Sequence, residues 1–155
     1  MDQTKQIQVT AEGLEALKLE LLDLTDVKRP STVARLERAR GEGDLAENSD
    51  YTNAKEELDF LDGRIDELTE VVQNAVVVSD TGRKGVVGVG TQVTVEVNGS
   101  SHVFKIVGEW EADPAAKKIS HESPLGQALM DKKVGEVVEV EAPAGKITYK
   151  IVEVK

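Results

Sequence analysis

The 155-residue chain has no cysteine, which excludes disulfides, thiolate metal sites and a cysteine nucleophile and suits a reducing interior. Aromatic residues make up only 3%: Tyr51, Phe60, Phe104, Trp110 and Tyr149. So small a supply argues against an aromatic-lined pocket or a base-stacking platform. No apolar run approaches about 18 residues, and no basic-then-apolar leader is readable, so neither a membrane span nor a secretory signal is expected. Basic side chains are in deficit, 19 Lys and Arg against 29 Asp and Glu, for a net charge of −10. Phosphate attraction needs the opposite balance, and autonomous binding to duplex DNA is not expected.

What is present is 39% hydrophobic and 31% charged residues in 16.8 kDa, enough for one compact domain or two small ones. The charge is uneven: residues 1–78 carry a net −9 and residues 79–155 a net −1. The hydrophobic period changes at the same place. We therefore divide the chain into a helical domain, 1–78, and a second domain, 79–155, joined near Ser79–Lys84.

The first half reads as two long helices. Thr10 is a good N-cap, with Val9 and Leu14 placed to staple across it. Leu14, Leu17, Leu21 and Leu24 form one apolar stripe. Pro30 should interrupt or kink the helix, and the stripe loses phase there, restarting with Val33, Ala34 and Leu36. Gly41 and Gly43 end this helix. Tyr51, Ala54, Leu58, Leu61, Ile65, Leu68, Val72 and Ala75 then follow alternating steps of three and four, a coiled-coil seam. A short polar link makes the two helices antiparallel neighbours, and about 30 residues each give a rod of roughly 45 Å. The first helix alone would suffice to satisfy the seam of the second, leaving a monomer as the expectation, although the pattern by itself leaves the oligomeric state open. The tip, residues 41–50, must project into solvent or into a partner.

The second half carries strand signals. Thr91–Val97 alternates in polarity, Asn98-Gly99 supplies a hairpin turn, and His102–Val107 follows. Val137–Glu141 and Lys146–Val154 flank a turn at Pro143–Gly145. Ser123-Pro124 opens a short helix reaching about Met130. The expected fold class is α+β: an N-terminal antiparallel α-helical coiled-coil hairpin, then a small antiparallel sheet domain with a short helix. His102 and His121 lack a third metal ligand at suitable spacing. Gly85, Gly88 and Gly90 read as strand-turn glycines rather than a phosphate loop.

The densest polar segment is GEGDLAENSDY, residues 41–51. If helix geometry begins here, Asp44 and Glu47 share one face. Asp-x-x-Glu is also a variant of the capping box, in which both carboxylates merely satisfy free amides, and caps outnumber metal sites at helix starts. An apex far from any core needs little capping, however, and Glu42 and Asp50 add negative charge that a divalent cation would relieve. Two or three such carboxylates do not enclose Mg²⁺ alone; further ligands must come from another molecule.

The segment GDLAENSDY, preceded by Arg38-Ala39-Arg40 and Arg29-Pro30, resembles the apex signature of the bacterial Gre transcript cleavage factors. Ser123-Pro124-Leu125-Gly126, Ala128-Leu129, Val134-Gly135 and Pro143-Ala144-Gly145 agree with the same family in the second half. The resemblance runs from about Val9 to the C-terminus and is closer to the GreA branch than to the GreB branch. It implies that the second domain is FKBP-like and binds the outer rim of the RNA polymerase secondary channel, through the corner at Glu122, Ser123 and Pro124. It also implies that the coiled coil enters that channel. There Asp44 and Glu47 match the acidic residues that help the polymerase hold its second Mg²⁺ while backtracked RNA is hydrolysed near its 3′ end. The chain would then be no enzyme itself, binding no cofactor alone and lending ligands in trans. Asn48 and Tyr51 match the apex pattern, Tyr51 also beginning the seam. Arg40 matches a basic position near the RNA end, though it reads equally well as an ordinary solvated helix arginine, and Lys55 stands where the family commonly has Arg, losing the bidentate fork. Arg29, Arg35 and Arg38 read as surface charges. The resemblance implies a bacterial cytoplasmic protein with no membrane contact.

Three other readings compete. An inhibitory channel-binding homologue would alter the apex, whereas Gly43-Asp44-Leu45 and Glu47-Asn48 are intact here. A prolyl isomerase needs an aromatic pocket that Phe104, Trp110 and Tyr149 are too few to build. A scaffold or holdase has no need of two acidic residues at a glycine-bounded apex.

Overall fold

A computed structural model of the chain describes residues 6–44, 46–78 and 85–155. Two compact units result: residues up to Leu14 together with Ala75–Lys155, and Glu15–Asn74. The division thus differs from one at residue 78. Strand β1 (Ile7–Val9) pairs in parallel with β2 (Ala75–Val77), so the N-terminal residues join the second half of the chain. The expected linker at Ser79–Lys84 lies outside the described residues.

Thr10 caps α1 (Ala11–Asp23) as its sequence position requires, the hydroxyl accepting from the Gly13 amide at 3.0 Å. Thr10 is itself buried, and Glu111 satisfies it. The Glu111 carboxylate accepts from the Thr10 amide at 2.9 Å, from the Gly108 amide at 3.0 Å, and from the Thr10 hydroxyl. Nothing in the local sequence announces this bond across 101 positions.

The interruption at Pro30 takes the form of a π-helical turn, Leu24–Lys28, between α1 and α2 (Arg29–Arg40). The Arg29 amide donates to the Leu24 carbonyl, five residues back. Pro30 lies in the first turn of α2, and the widened turn before it accommodates a residue without an amide proton. One extra residue in the turn shifts the seam. The buried positions are Leu17, Leu24, Thr32 and Ala39, spaced seven, eight and seven apart. The stripe therefore resumes at Thr32; Val33 and Leu36 are half-buried and Ala34 is exposed.

Helix α3 (Ser49–Asn74) buries Ala54, Leu61, Leu68 and Val71. Val71 replaces the expected Val72 at the end of the seam, and Ala75 has already left the helix for β2. Ion pairs Arg64–Glu20, Arg29–Asp62 and Arg35–Glu57 descend along α3 as they ascend the first helices, which fixes the antiparallel sense.

Thr32 is the polar member of the seam, and α3 provides for it. Its hydroxyl donates to Glu57 Oε1 at 3.1 Å while Arg35 Nη2 donates to Oε2 at 2.6 Å. Arg35 first, and Thr32 second, hold the Glu57 carboxyl below the usual glutamate range. With the folded value below the unfolded one, this stabilisation is present above the ordinary glutamate range and is lost as pH falls through the folded value. Glu57→Gln should melt slightly below the parent at neutral pH and converge with it in acid, the gap being small because the pair is exposed to solvent. Thermal melts of both proteins from neutral to acid pH provide the check; a constant gap would assign the difference to something other than the charge.

In the other unit five strands run in the order β5-β4-β3-β7-β6: β3 Gln92–Val97, β4 Ser100–Val107, β5 Lys118–Ser120, β6 Val137–Ala142 and β7 Gly145–Val154. The β3–β4 hairpin turns on Asn98 and Gly99, both at positive φ, 50° and 80°. The sheet is mixed rather than wholly antiparallel, because β5 pairs in parallel with β4. Two 3₁₀ turns, Glu109–Glu111 and Pro114–Ala116, return the chain so that β5 starts in the direction of β4. The core is largely valine, as so few aromatics require: Val87, Val89, Val93, Val95 and Val138 with Ile106, Ile151 and Leu129. Leu129 comes from α4 (Pro124–Leu129), whose N-cap Ser123 accepts from the Gly126 amide at 3.0 Å.

Candidate functional site at the hairpin apex

The apex is built by the way two helices end. At the close of α2 the Gly41 amide reaches the carbonyls of Glu37 and Arg38, each at 3.2 Å, and the Glu42 amide that of Ala39 at 3.1 Å. Gly41 keeps helical geometry at φ −72°; only Gly43, at φ 128°, adopts the backbone that favours glycine. The loop then carries Asp44, exposed, with Oδ1 accepting from the Ala46 amide at 3.0 Å. Leu45 lies outside the described residues. Glu47 follows, also exposed, and its carboxylate has no hydrogen bond or ion pair among the described residues.

Helix α3 does not begin at Asp44, so Asp44 and Glu47 share a loop rather than a helical face. The cap is Asn48: its Oδ1 accepts from the Tyr51 amide at 3.1 Å, and its carbonyl accepts from the Thr52 amide at 3.1 Å. With the cap of α3 assigned to Asn48, Asp44 and Glu47 do not form its capping box, although Asp44 still satisfies the Ala46 amide. Asn48 also reaches backward, Nδ2 donating to the Ala39 carbonyl at 2.7 Å. The Asn-Ser-Asp run ahead of the seam is a helix-start signal that would have placed this cap from sequence.

Charge is distributed to match. Arg29 and Arg35, farther from the tip, are tied to Asp62 and Glu57. Hydrogen bonding and attraction from Asp62 raise the Arg29 value further, so it stays charged. Arg38, Arg40 and Lys55 are exposed and have no ion pair among the described residues. Tyr51 is half-buried in the first turn of α3, in line with its place on the seam.

The remaining sequence-expected residues lie in the other unit. Glu122 and Pro124 are exposed and Ser123 half-buried, at a corner between β5 and α4. The Ser123 hydroxyl donates to the Ser120 carbonyl at 2.6 Å, and the Glu122 amide donates to Ser120 Oγ at 3.1 Å, which holds the corner rigidly. His121 places Nδ1 3.3 Å from the Val107 carbonyl.

Hard carboxylate oxygens of the Asp44 and Glu47 type suit Mg²⁺. Among the described residues no three His, Asp or Glu side chains converge to hold a metal ion. Among the described residues no helix is long and apolar enough to cross a membrane.

Comparison with known proteins gives matches along almost the whole chain. The family model "Transcription elongation factor, N-terminal" covers residues 7–77, and "Transcription elongation factor, GreA/GreB, C-term" covers residues 82–155. The transcription elongation factor GreA of Bacillus subtilis (strain 168) is 45% identical over 156 positions, 99% of each chain. That of Bacillus velezensis is 43% identical over the same share. Among solved structures, the GreA factor homolog 1 protein of Thermus thermophilus aligns over 97% of this chain and 99% of its own, at 27% identity and a TM-score of 0.46.

Proposed function

The chain belongs to the GreA/GreB family of transcription elongation factors, which act with RNA polymerase and stimulate transcript cleavage, and we propose that it works by lending Asp44 and Glu47 to the polymerase active site. The observation that carries this reading is the exposure of those carboxylates: Asn48 caps α3, Asp44 is engaged only by the Ala46 amide, and Glu47 has no partner among the described residues. In this reading the hairpin enters the secondary channel and the Glu122–Pro124 corner rests on the channel rim. Asp44 and Glu47 then complete the coordination of a second Mg²⁺ that the polymerase alone holds weakly. Such an ion, when bound, orients a water and stabilises charge at the reacting phosphate. The residues of this chain bind and orient. Asp44 keeps one oxygen on the Ala46 amide and would ligate through its carboxylate, while Glu47 would ligate or align the attacking water.

Arg40 and Lys55, which have no ion pair among the described residues, would attract the 3′ segment of backtracked RNA. Arg29 and Arg35, already paired, would not. Hydrolysis remains the chemistry of the polymerase, and the site of action is the bacterial cytoplasm.

The test uses RNA polymerase stalled and backtracked on a template, with 3′-labelled RNA and Mg²⁺. Release of short labelled fragments with this protein, and not with its Asp44→Ala/Glu47→Ala variant, is the expected result. Binding without stimulation by the parent would make it a channel-binding inhibitor instead.

A further inference from the structure

Both polar ends of the Asn48 side chain are employed inside the hairpin. Oδ1 accepts from the Tyr51 amide at 3.1 Å and Nδ2 donates to the Ala39 carbonyl at 2.7 Å. Ala39 is a seam residue, 3% exposed, and its carbonyl also accepts from the Glu42 amide. One side chain thus caps the incoming helix and joins it to the last turn of the outgoing one. The bond spans nine positions and brackets Asp44 and Glu47. Within that span Gly41 and Gly43 give the backbone more freedom than other residues would. A loop of this kind holds two carboxylates at a defined separation only if its ends are held.

We propose that Asn48 is a positioning residue for transcript cleavage: by tying α3 to the Ala39 carbonyl it fixes the base of the loop that presents Asp44 and Glu47. This rests on the reading of those two acids as ligand donors. Misplacement of a reacting group by about 1 Å costs on the order of 10²-fold in rate, so loosening the tie acts on cleavage more than on folding.

The diagnostic substitution is Asn48→Ser, which keeps a helix-capping oxygen for the Tyr51 amide but is too short to reach Ala39. Asn48→Asp keeps the cap and sets an oxygen against the Ala39 carbonyl. Both variants should melt within about 2–4 °C of the parent. By amide hydrogen exchange, Tyr51 should keep its protection and Glu42 should lose some. Maximal cleavage by backtracked polymerase should fall roughly tenfold or more, with the half-saturating concentration of factor unchanged. Asn48→Ala should lose Tyr51 protection as well. Parent-like cleavage by Asn48→Ser, or a loss matched by weaker polymerase binding, would overturn the proposal. A parent protein that stimulates no cleavage would instead overturn the reading beneath it, which the control reaction reveals directly.

Discussion

Asp44→Ala is expected to reduce stimulated cleavage by on the order of 10²-fold or more, with polymerase binding retained. The size of the effect follows from where Asp44 stands. It is solvent-exposed on a loop, so its removal leaves no cavity and the fold should not register the change. Its side chain accepts from the Ala46 amide at 3.0 Å, a local turn. Asp44→Asn separates that turn from ligation, since the new amide oxygen still accepts from the Ala46 amide while the formal charge is gone. If the Asp44→Asn protein stimulates no better than the Asp44→Ala protein, the carboxylate acts by binding the cation; near-parent activity would assign its role to loop shape. Glu47→Gln should be milder, about tenfold, and partly relieved by raising Mg²⁺, because a weakened ligand set is compensated by mass action. Cleavage rates against Mg²⁺ concentration for the three variants make the comparison.

The second large effect falls on the sheet domain. A Cβ on Gly126 would lie 1.9 Å from the Ser120 carbonyl oxygen and 2.9 Å from the His121 Cα. Both obstacles are backbone, so no side chain can swing aside. The displaced group also anchors the Ser123 hydroxyl, which donates to that same Ser120 carbonyl, and the Gly126 amide completes the cap of α4. Gly126→Ala should therefore cost about 3–5 kcal/mol and lower the melting temperature by roughly 10 °C or more. Gly63→Ala is the matched control. Apart from the adjoining backbone of its own helix and its chain neighbours, no heavy atom of the described residues lies within 4 Å of a Cβ there, and the residue sits in the interior of α3. That change should stabilise by about 0.5–1 kcal/mol, because glycine weakens a helix interior. Thermal or urea denaturation of both variants decides the matter, and a Gly126→Ala protein as stable as the parent would mean that the corner yields.

Much of this architecture was legible because its signals are local. Asn98-Gly99 sets a two-residue hairpin through its own backbone preferences, and Ser123-Pro124 sets a helix start in the same way. The steps from Ala54 to Leu68 reveal a seam within one helix. Thr32 escaped for the opposite reason: its burial depends on a π-turn that changes the phase between Leu24 and Ala39, whereas a periodicity argument holds phase constant. The β1–β2 pair is only three residues a side and joins positions 68 apart, so no local pattern marks it. At the apex the acidic pair was visible as composition. The start of α3 takes more than residue type to read: Asp44 and Asn48 are both good caps, and it is the Asn-Ser-Asp run that favours Asn48, whose Oδ1 accepts from the Tyr51 amide.

The π-turn at Leu24–Lys28 also sets the azimuth of everything beyond it. Each residue of an α-helix advances the side-chain direction by about 100° around the axis. Removing one residue from that turn would leave α2 intact as a helix but rotate its whole side-chain array by that angle. Thr32 would leave the seam, Arg35 would swing away from Glu57, and the Ala39 carbonyl would no longer face Asn48. A single inserted residue, placed about fifteen positions before Ala39, thus works as the angular adjustment by which the far end of the hairpin is aimed.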